Sequence, residues 1–181
     1  MNKIQFIERL IKEEKIKIVE PSKEISMSYN EKSKNSLKAA KILLEQGLLA
    51  ETTSMAYYAM YHKTTSLFYL VGIKCENHAA TIILLKELFK INNKEISIAK
   101  KERVDKQYYT TFTINKSQVL ESIKIAEKFI NELDLFIDKM VPKTTSISVN
   151  KIRLRPNDPC SCGAIDFNTK SVKKFKKCCG K

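Results

Sequence analysis

Four of the chain's five cysteines lie within its last 22 residues, in two close pairs. The first pair is Cys160-Ser-Cys162 and the second is Cys178-Cys179. Thiols this close together either form disulfide bonds or bind a metal ion. The first residues alternate polar and apolar side chains as a helix does and do not look like a secretory signal, which disfavours disulfides. The spacing therefore predicts one tetrahedral Zn²⁺ site with ligands Cys160, Cys162, Cys178 and Cys179.

The expected zinc is structural, because four protein ligands leave no open position for water or substrate. Lysines around the second cysteine pair favour thiolates and offset the negative charge of a four-thiolate site. A redox-sensitive cysteine cluster is the alternative interpretation. Cys75 stands apart from the other four, and we expect it to be a buried or inert thiol.

Composition limits the class of protein. The chain has 181 residues, 43% of them hydrophobic, with four glycines, four prolines and no tryptophan. So few turn residues argue against a β-sandwich or barrel, and no apolar run approaches the roughly 20 residues of a membrane span. We therefore expect a cytoplasmic protein with one sizeable core and a small appendage.

Positive charge is concentrated at the C-terminus. The net charge is +13, and residues 151–181 contain nine lysines and arginines against two aspartates. Such a patch favours RNA, the ribosome or an acidic protein as partner, although the charges of the rest of the chain suit a solvated surface equally well. The residues expected to contact the partner are Arg153, Arg155, Lys170, Lys173, Lys174, Lys176 and Lys177.

Helical periodicity runs through most of the chain before residue 141. Helices are expected at about residues 4–11, 22–47, 51–71, 77–92, 95–109 and 115–141, with Ser22 and Asn77 as N-caps. The fourth helix should bury Ile82, Leu85, Leu88 and Phe89. Long helices with short loops predict an all-α, antiparallel helical bundle. The expected organisation is an N-terminal helix (1–21), a bundle (22–141), a linker (142–152) and a zinc module (153–181).

The C-terminal segment resembles the SEC-C motif. The resemblance covers Arg155-Pro-Asn-Asp-Pro-Cys-Ser-Cys-Gly163 and Lys173-Lys-Phe-Lys-Lys-Cys-Cys-Gly180. Fifteen residues separate Cys162 from Cys178, more than is usual in the family, and residues 164–171 look like a loop insertion that lengthens a hairpin. The resemblance implies a zinc-binding module that docks on proteins or ribosomes.

The bundle resembles the HEPN superfamily over about residues 25–140. The resemblance rests mainly on Ser54-Met-Ala-Tyr-Tyr-Ala-Met-Tyr-His62, with weaker support from Asn77-His78 and from Arg103-Val-Asp-Lys-Gln-Tyr-Tyr109. It implies a helical homodimer in a toxin–antitoxin or defence setting, with a nucleotidyltransferase as a further expected partner. The apolar third helix is a second reason to expect the dimer.

Many HEPN members are metal-independent ribonucleases that carry an arginine four to six residues before a histidine. This chain has no such pair, so we expect little or no ribonuclease activity. Its candidate catalytic residues are His62, His78 and Arg103, which could meet in space; packing roles for both histidines are the favoured alternative.

The tyrosines at helical spacing on the third helix, and the Tyr108-Tyr109 pair, suit a packed core better than base stacking. The sequence therefore favours a protein that binds a macromolecule. The alternatives are a ribonuclease toxin with a divergent site, or an adaptor that docks through its tail on a ribosome or a chaperone.

Overall fold

The computed structural model describes residues 2–108, 115–140, 165–166 and 171–172. This part of the chain is mainly helical, in agreement with the expected all-α class. The helices are α1 (Lys3–Lys12), α2 (Lys23–Glu45), α3 (Leu49–Leu70), α4 (His78–Phe89), α5 (Lys94–Tyr108) and α6 (Lys116–Met140). The strands are β1 (Ile16–Ile18), β2 (Ile73–Cys75), β3 (Ile165–Asp166) and β4 (Ser171–Val172). Residues up to Met140 form one compact unit, and those from Val141 onwards form a second.

Two helices begin where the capping residues predict. The Ser22 hydroxyl accepts a hydrogen bond from the backbone N–H of Ile25 at 3.2 Å. The Asn77 side chain accepts from the N–H groups of Ala79 and Ala80, both at 3.0 Å. Each cap satisfies donors that the first turn of a helix leaves without a partner, which fixes the start of α2 and of α4.

Helix α3 is the centre of the bundle. Twelve of its residues are buried, among them Tyr57, Met60, Leu67 and Phe68, and it packs against α2, α5, α6, α4 and β2. Burial against its own chain accounts for the apolar composition of this helix. The composition of α3 therefore gives no separate support for a homodimer.

A lysine lies inside the bundle. The side chain of Lys63 on α3 is 2% exposed. Its ammonium donates to the side-chain oxygen of Asn30 on α2 at 2.6 Å and forms an ion pair with Asp134 on α6. A buried charge is costly unless it is paired and hydrogen-bonded. This polar link therefore ties three helices together at one point.

Strands β1 and β2 form an antiparallel pair that the sequence did not predict. Ile16 lies opposite Cys75, and Ile18 opposite Ile73. Just before β2, Gly72 has φ +80°, and a Cβ atom there would lie 2.4 Å from the carbonyl oxygen of Val19. Only glycine fits this close approach without strain. The pairing brings α1 and β1 into the same compact unit as the bundle.

The outer side of α4 is more exposed than its sequence predicts. Ile82 and Leu85 are buried as expected, but Leu88 is 54% exposed. Leu88 instead lies at the surface, one residue before the helix ends. Within residues 2–108 and 115–140, no helix has the length and apolar character needed to cross a membrane.

Candidate functional site

Five aromatic or imidazole side chains and one guanidinium gather where α3, α4 and α5 meet. We call them the ring cluster: Tyr57, Tyr58, Tyr61, His62, His78 and Arg103. The first four form two pairs one helical turn apart on one side of α3, Tyr57 with Tyr61 and Tyr58 with His62, so their spacing alone places them together. His78 is the first residue of α4, and Arg103 lies on α5. Burial of Tyr57 anchors the cluster in the core, whereas the other five are half-buried.

His78 is held in a fixed position by two tyrosines. Its ring lies parallel to that of Tyr61, with ring centres 3.9 Å apart and an interplanar angle of 3°. Its Nδ1 atom lies 2.6 Å from the Tyr57 hydroxyl. The Tyr57 side chain is fully buried. Stacking therefore fixes the ring plane, and the hydrogen bond fixes its rotation within that plane.

Arg103 and His62 both approach Tyr58. The guanidinium carbon of Arg103 lies 4.9 Å from the centre of the Tyr58 ring and 5.7 Å from that of Tyr57. These are distances at which a cation is attracted to an aromatic face. The His62 ring lies 5.9 Å from the Tyr58 ring at an interplanar angle of 20°. Its Nδ1 atom is 3.2 Å from the Ser36 hydroxyl on α2.

The surroundings favour the neutral form of both histidines. Burial is the main cause that lowers the pKa of His78, and the nearby Arg103, Lys100 and His62 lower it further. Burial also lowers the pKa of His62; a backbone hydrogen bond with Lys32 acts in the opposite direction, and the charge of Lys32 adds to the lowering. The charged side chains that act on these two imidazoles are Arg103, Lys100 and Lys32, and all three are basic, so the site suits an anionic ligand.

The cluster continues onto α2. Tyr29 stacks on Tyr69 with ring centres 5.3 Å apart and an interplanar angle of 11°. The Lys32 ammonium lies 4.6 Å from the centre of the Tyr29 ring, and Tyr29 lies 6.1 Å from His62. The sequence pattern alone does not distinguish these residues as part of a site. Tyr29, Lys32 and Ser36 share one face of α2, but only the packing of α2 on α3 shows that this face adjoins His62.

The structure brings together the three residues that the sequence offered as catalytic candidates, His62, His78 and Arg103. Cys75 is buried, as expected. The other predicted site residues lie outside the described residues, as do the linker and the side chains of Tyr108 and Tyr109. They are Cys160, Cys162, Cys178, Cys179, Arg153, Arg155, Lys170, Lys173, Lys174, Lys176 and Lys177.

Strands β3 and β4 lie between the two cysteine pairs in the sequence. They pair antiparallel, with Ile165 opposite Val172 and Asp166 opposite Ser171. This is the place where the sequence predicts a lengthened hairpin. An antiparallel pair reverses the direction of the chain between Cys162 and Cys178.

Comparison with known proteins identifies the class. Residues 27–136 match the HEPN domain, which covers more than half of the chain and includes every residue of the ring cluster. The chain therefore belongs to the HEPN domain family. A protein of Methanocaldococcus jannaschii named "Putative toxin MJ0605" is 26% identical over 108 residues, which are 60% of this chain and 80% of that protein.

Proposed function

We propose that this HEPN protein is an RNA-binding toxin and that RNA binds at the ring cluster. The observation that carries the proposal is the convergence of Arg103 and His78 on the tyrosines of α3, at a place where the neighbouring charges are basic. Membership of the HEPN family and the name of the M. jannaschii relative support a toxin setting. The net charge of +13 favours an anionic partner.

The chemistry of the cluster suits RNA. A half-buried tyrosine such as Tyr58 offers a stacking surface for a base, and one such contact is worth about 1–3 kcal/mol. Arg103 places a planar guanidinium beside it, which can donate two parallel hydrogen bonds to a phosphate. Single-stranded RNA presents a base and a phosphate at once, since its unpaired bases can unstack from their neighbours.

RNA cleavage is a second candidate function, favoured by the lowered pKa values of His62 and His78. A neutral imidazole accepts the proton of a ribose 2′-hydroxyl, and a guanidinium stabilises the charge that develops on the phosphate. The 2′-oxygen then bonds to phosphorus while the bond to the 5′-oxygen breaks. The proton taken up by the imidazole returns to the departing 5′-oxygen through solvent. This hypothesis keeps Arg103 and His62 or His78 as the residues of a divergent ribonuclease site.

The tail supplies the second half of the proposal. We propose that Cys160, Cys162, Cys178 and Cys179 bind one structural Zn²⁺ in the reducing cytoplasm, and that the surrounding lysines dock on RNA, a ribosome or an acidic protein. The antiparallel pairing of β3 and β4 supports this, because a site built from both cysteine pairs requires the chain to reverse between them. A toxin of this family would have two further partners. One is a second copy of the chain, with which it forms a homodimer, and the other is a nucleotidyltransferase antitoxin.

The test measures binding of a labelled single-stranded RNA by fluorescence anisotropy. Arg103→Gln and Tyr58→Ala should each weaken binding about ten-fold or more, because each removes a direct contact. Lys101→Gln is the matched control: it removes one positive charge from the same helix at an exposed position. It should change binding only slightly.

The outcomes separate the alternatives. If both cluster variants bind RNA as the unaltered protein does, while deletion of residues 143–181 abolishes binding, then RNA docks on the tail and the cluster proposal is wrong. Cleavage of the RNA in the presence of a chelator, lost in His62→Ala and Arg103→Ala but kept in Lys101→Gln, would establish the ribonuclease function. Native complexes that survive nuclease treatment, with no binding of RNA in vitro, would instead support a protein-docking adaptor.

A further inference from the structure

We propose that Tyr57 holds His78 in the neutral tautomer that carries its proton on Nε2, so that His78 donates a hydrogen bond to a phosphate of the bound RNA. Tyr57 is then a positioning residue, and His78 is a phosphate ligand and not a proton acceptor. The role of the phosphate rests on the proposed function. The tautomer does not, because it follows from the protein alone.

The hydrogen-bonding needs of Tyr57 determine the tautomer. Its side chain is fully buried, and burial strongly raises its pKa, so the phenol keeps its proton. A buried O–H group needs an acceptor. Within the described residues, the hydrogen-bond partner of the Tyr57 hydroxyl is Nδ1 of His78, at 2.6 Å. If Nδ1 carried the proton, two hydrogens would face each other or the phenol proton would have no acceptor. Nδ1 therefore accepts, and the single proton of the neutral ring is on Nε2.

The same geometry directs Nε2 away from the core. The two ring nitrogens point outward in widely different directions, and Nδ1 points at a fully buried phenol. Stacking against Tyr61 at 3.9 Å keeps the ring in this plane. In the described part of the chain, Nε2 has no hydrogen-bond partner of its own. His78 is half-buried, and its Nε2–H group in this orientation is available to a ligand.

The charges around His78 favour an anionic ligand. Arg103 and Lys100 on α5 and the imidazole of His62 on α3 all act on its ring and disfavour a second proton. The positive end of the dipole of α4 acts in the same direction, because His78 is the first residue of that helix. Asn77 already accepts from the N–H groups of Ala79 and Ala80, so these groups are not donors to the ligand. The phosphate is therefore held by side chains, and His62 is the imidazole left to accept a proton if RNA is cleaved.

The first test needs no RNA. Long-range ¹H–¹⁵N correlation spectra of protein labelled at histidine nitrogens distinguish a protonated from an unprotonated ring nitrogen. At pH 7.5 we expect protonated Nε2 and unprotonated Nδ1 for His78. In Tyr57→Phe, which keeps the ring and removes the hydroxyl, we expect a mixture of the two tautomers. A proton found on Nδ1 in the unaltered protein would overturn the proposal.

The second test uses single-stranded RNA and two replacements of His78. Glutamine places its amide N–H₂ near the position of Nε2, so His78→Gln should bind RNA within a few-fold of the unaltered protein. His78→Ala should bind about ten- to a hundred-fold more weakly, as expected for a lost hydrogen bond to a charged group. Equal losses in both variants would refute the donor role. If the spectra show the expected tautomer but the unaltered protein binds no RNA, the proposed function fails and the tautomer stands.

Discussion

The buried lysine offers a stringent test of the energetics of the bundle. Lys63 is 2% exposed, whereas its partner Asp134 on α6 is 51% exposed. Replacing Asp134 with alanine leaves the ammonium inside the protein with the Asn30 oxygen, 2.6 Å away, as its remaining described acceptor. Breaking a fully buried ion pair costs about 3–5 kcal/mol. Because half of Asp134 is already in water, we expect Asp134→Ala to lower the free energy of unfolding by about 2–3 kcal/mol.

Removing the charge itself should cost less. Lys63→Met replaces the ammonium with an apolar side chain of similar length, and Asp134 can then turn fully into water. We expect a change within about 1 kcal/mol, since replacing a buried ion pair by packed apolar groups is often neutral. The double variant Lys63→Met with Asp134→Ala should be as stable as Lys63→Met alone. Removing Asp134 alone should therefore lower the free energy of unfolding more than replacing both Lys63 and Asp134.

Urea unfolding followed by circular dichroism measures these differences. In thermal unfolding of a unit of this size, a loss of about 1 kcal/mol lowers Tm by a few degrees. The Tm of Asp134→Ala should therefore be roughly 5–10 °C lower. Glu132→Ala is the matched control on the same helix, because Glu132 is exposed and, within the described residues, its ion pair is with Lys128, at 3.9 Å. It should change stability by less than about 0.5 kcal/mol. The reasoning is refuted if Asp134→Ala matches the control, or if the double variant is less stable than Asp134→Ala.

Three further predictions concern other parts of the chain. In urea unfolding, Gly72→Ala should lower the free energy of unfolding by about 2–4 kcal/mol, because its Cβ meets the Val19 carbonyl. Gly47→Ala should lower it by only about 1–2 kcal/mol, because Gly47 has φ +75° but open space around it. The lowered pKa values of both histidines mean that the unfolded chain takes up protons first as pH falls. The free energy of unfolding should therefore decline below about pH 6.5, and His62→Gln with His78→Gln should reduce that decline. Elemental analysis of reduced protein should find one zinc per chain. Cys160→Ser should lose the zinc, while its helical circular dichroism signal and urea midpoint stay unchanged. Loss of the helical signal in this variant would contradict a separate zinc module.

Local signals allowed the helices to be predicted from the sequence. Ser22 and Asn77 cap α2 and α4 through hydrogen bonds to residues two or three positions away. Such contacts join residues that are close in the sequence, so they can be found by inspecting the sequence. The exposure of Leu88 was not predictable in this way, because it depends on which side of α4 the remaining helices cover.

The β1–β2 pair could not be found by inspection. Its strands are three residues each and distant in sequence, and Ile18 is 85% exposed. Both segments alternate, as Ile-Lys-Ile and Ile-Lys-Cys, but three residues are too few for the alternation to indicate a strand. For the candidate site, the tyrosine spacing on α3 was visible. The approach of Arg103 and His78 to those tyrosines depends on helix packing angles, which the sequence pattern leaves open.

The β1–β2 pairing also sets an order of events during synthesis. Ile16 leaves the ribosome before Cys75, its partner, has been made. At about 5–20 residues per second, the wait is roughly 3–12 s. Helix α2 can form during that time, since helices form within microseconds, whereas α3 ends at Leu70, only five residues before Cys75. The N-terminal segment that contains Leu10 and Ile16 therefore stays without its partner strand until translation passes β2. Over the same interval its apolar residues are accessible to chaperones and proteases.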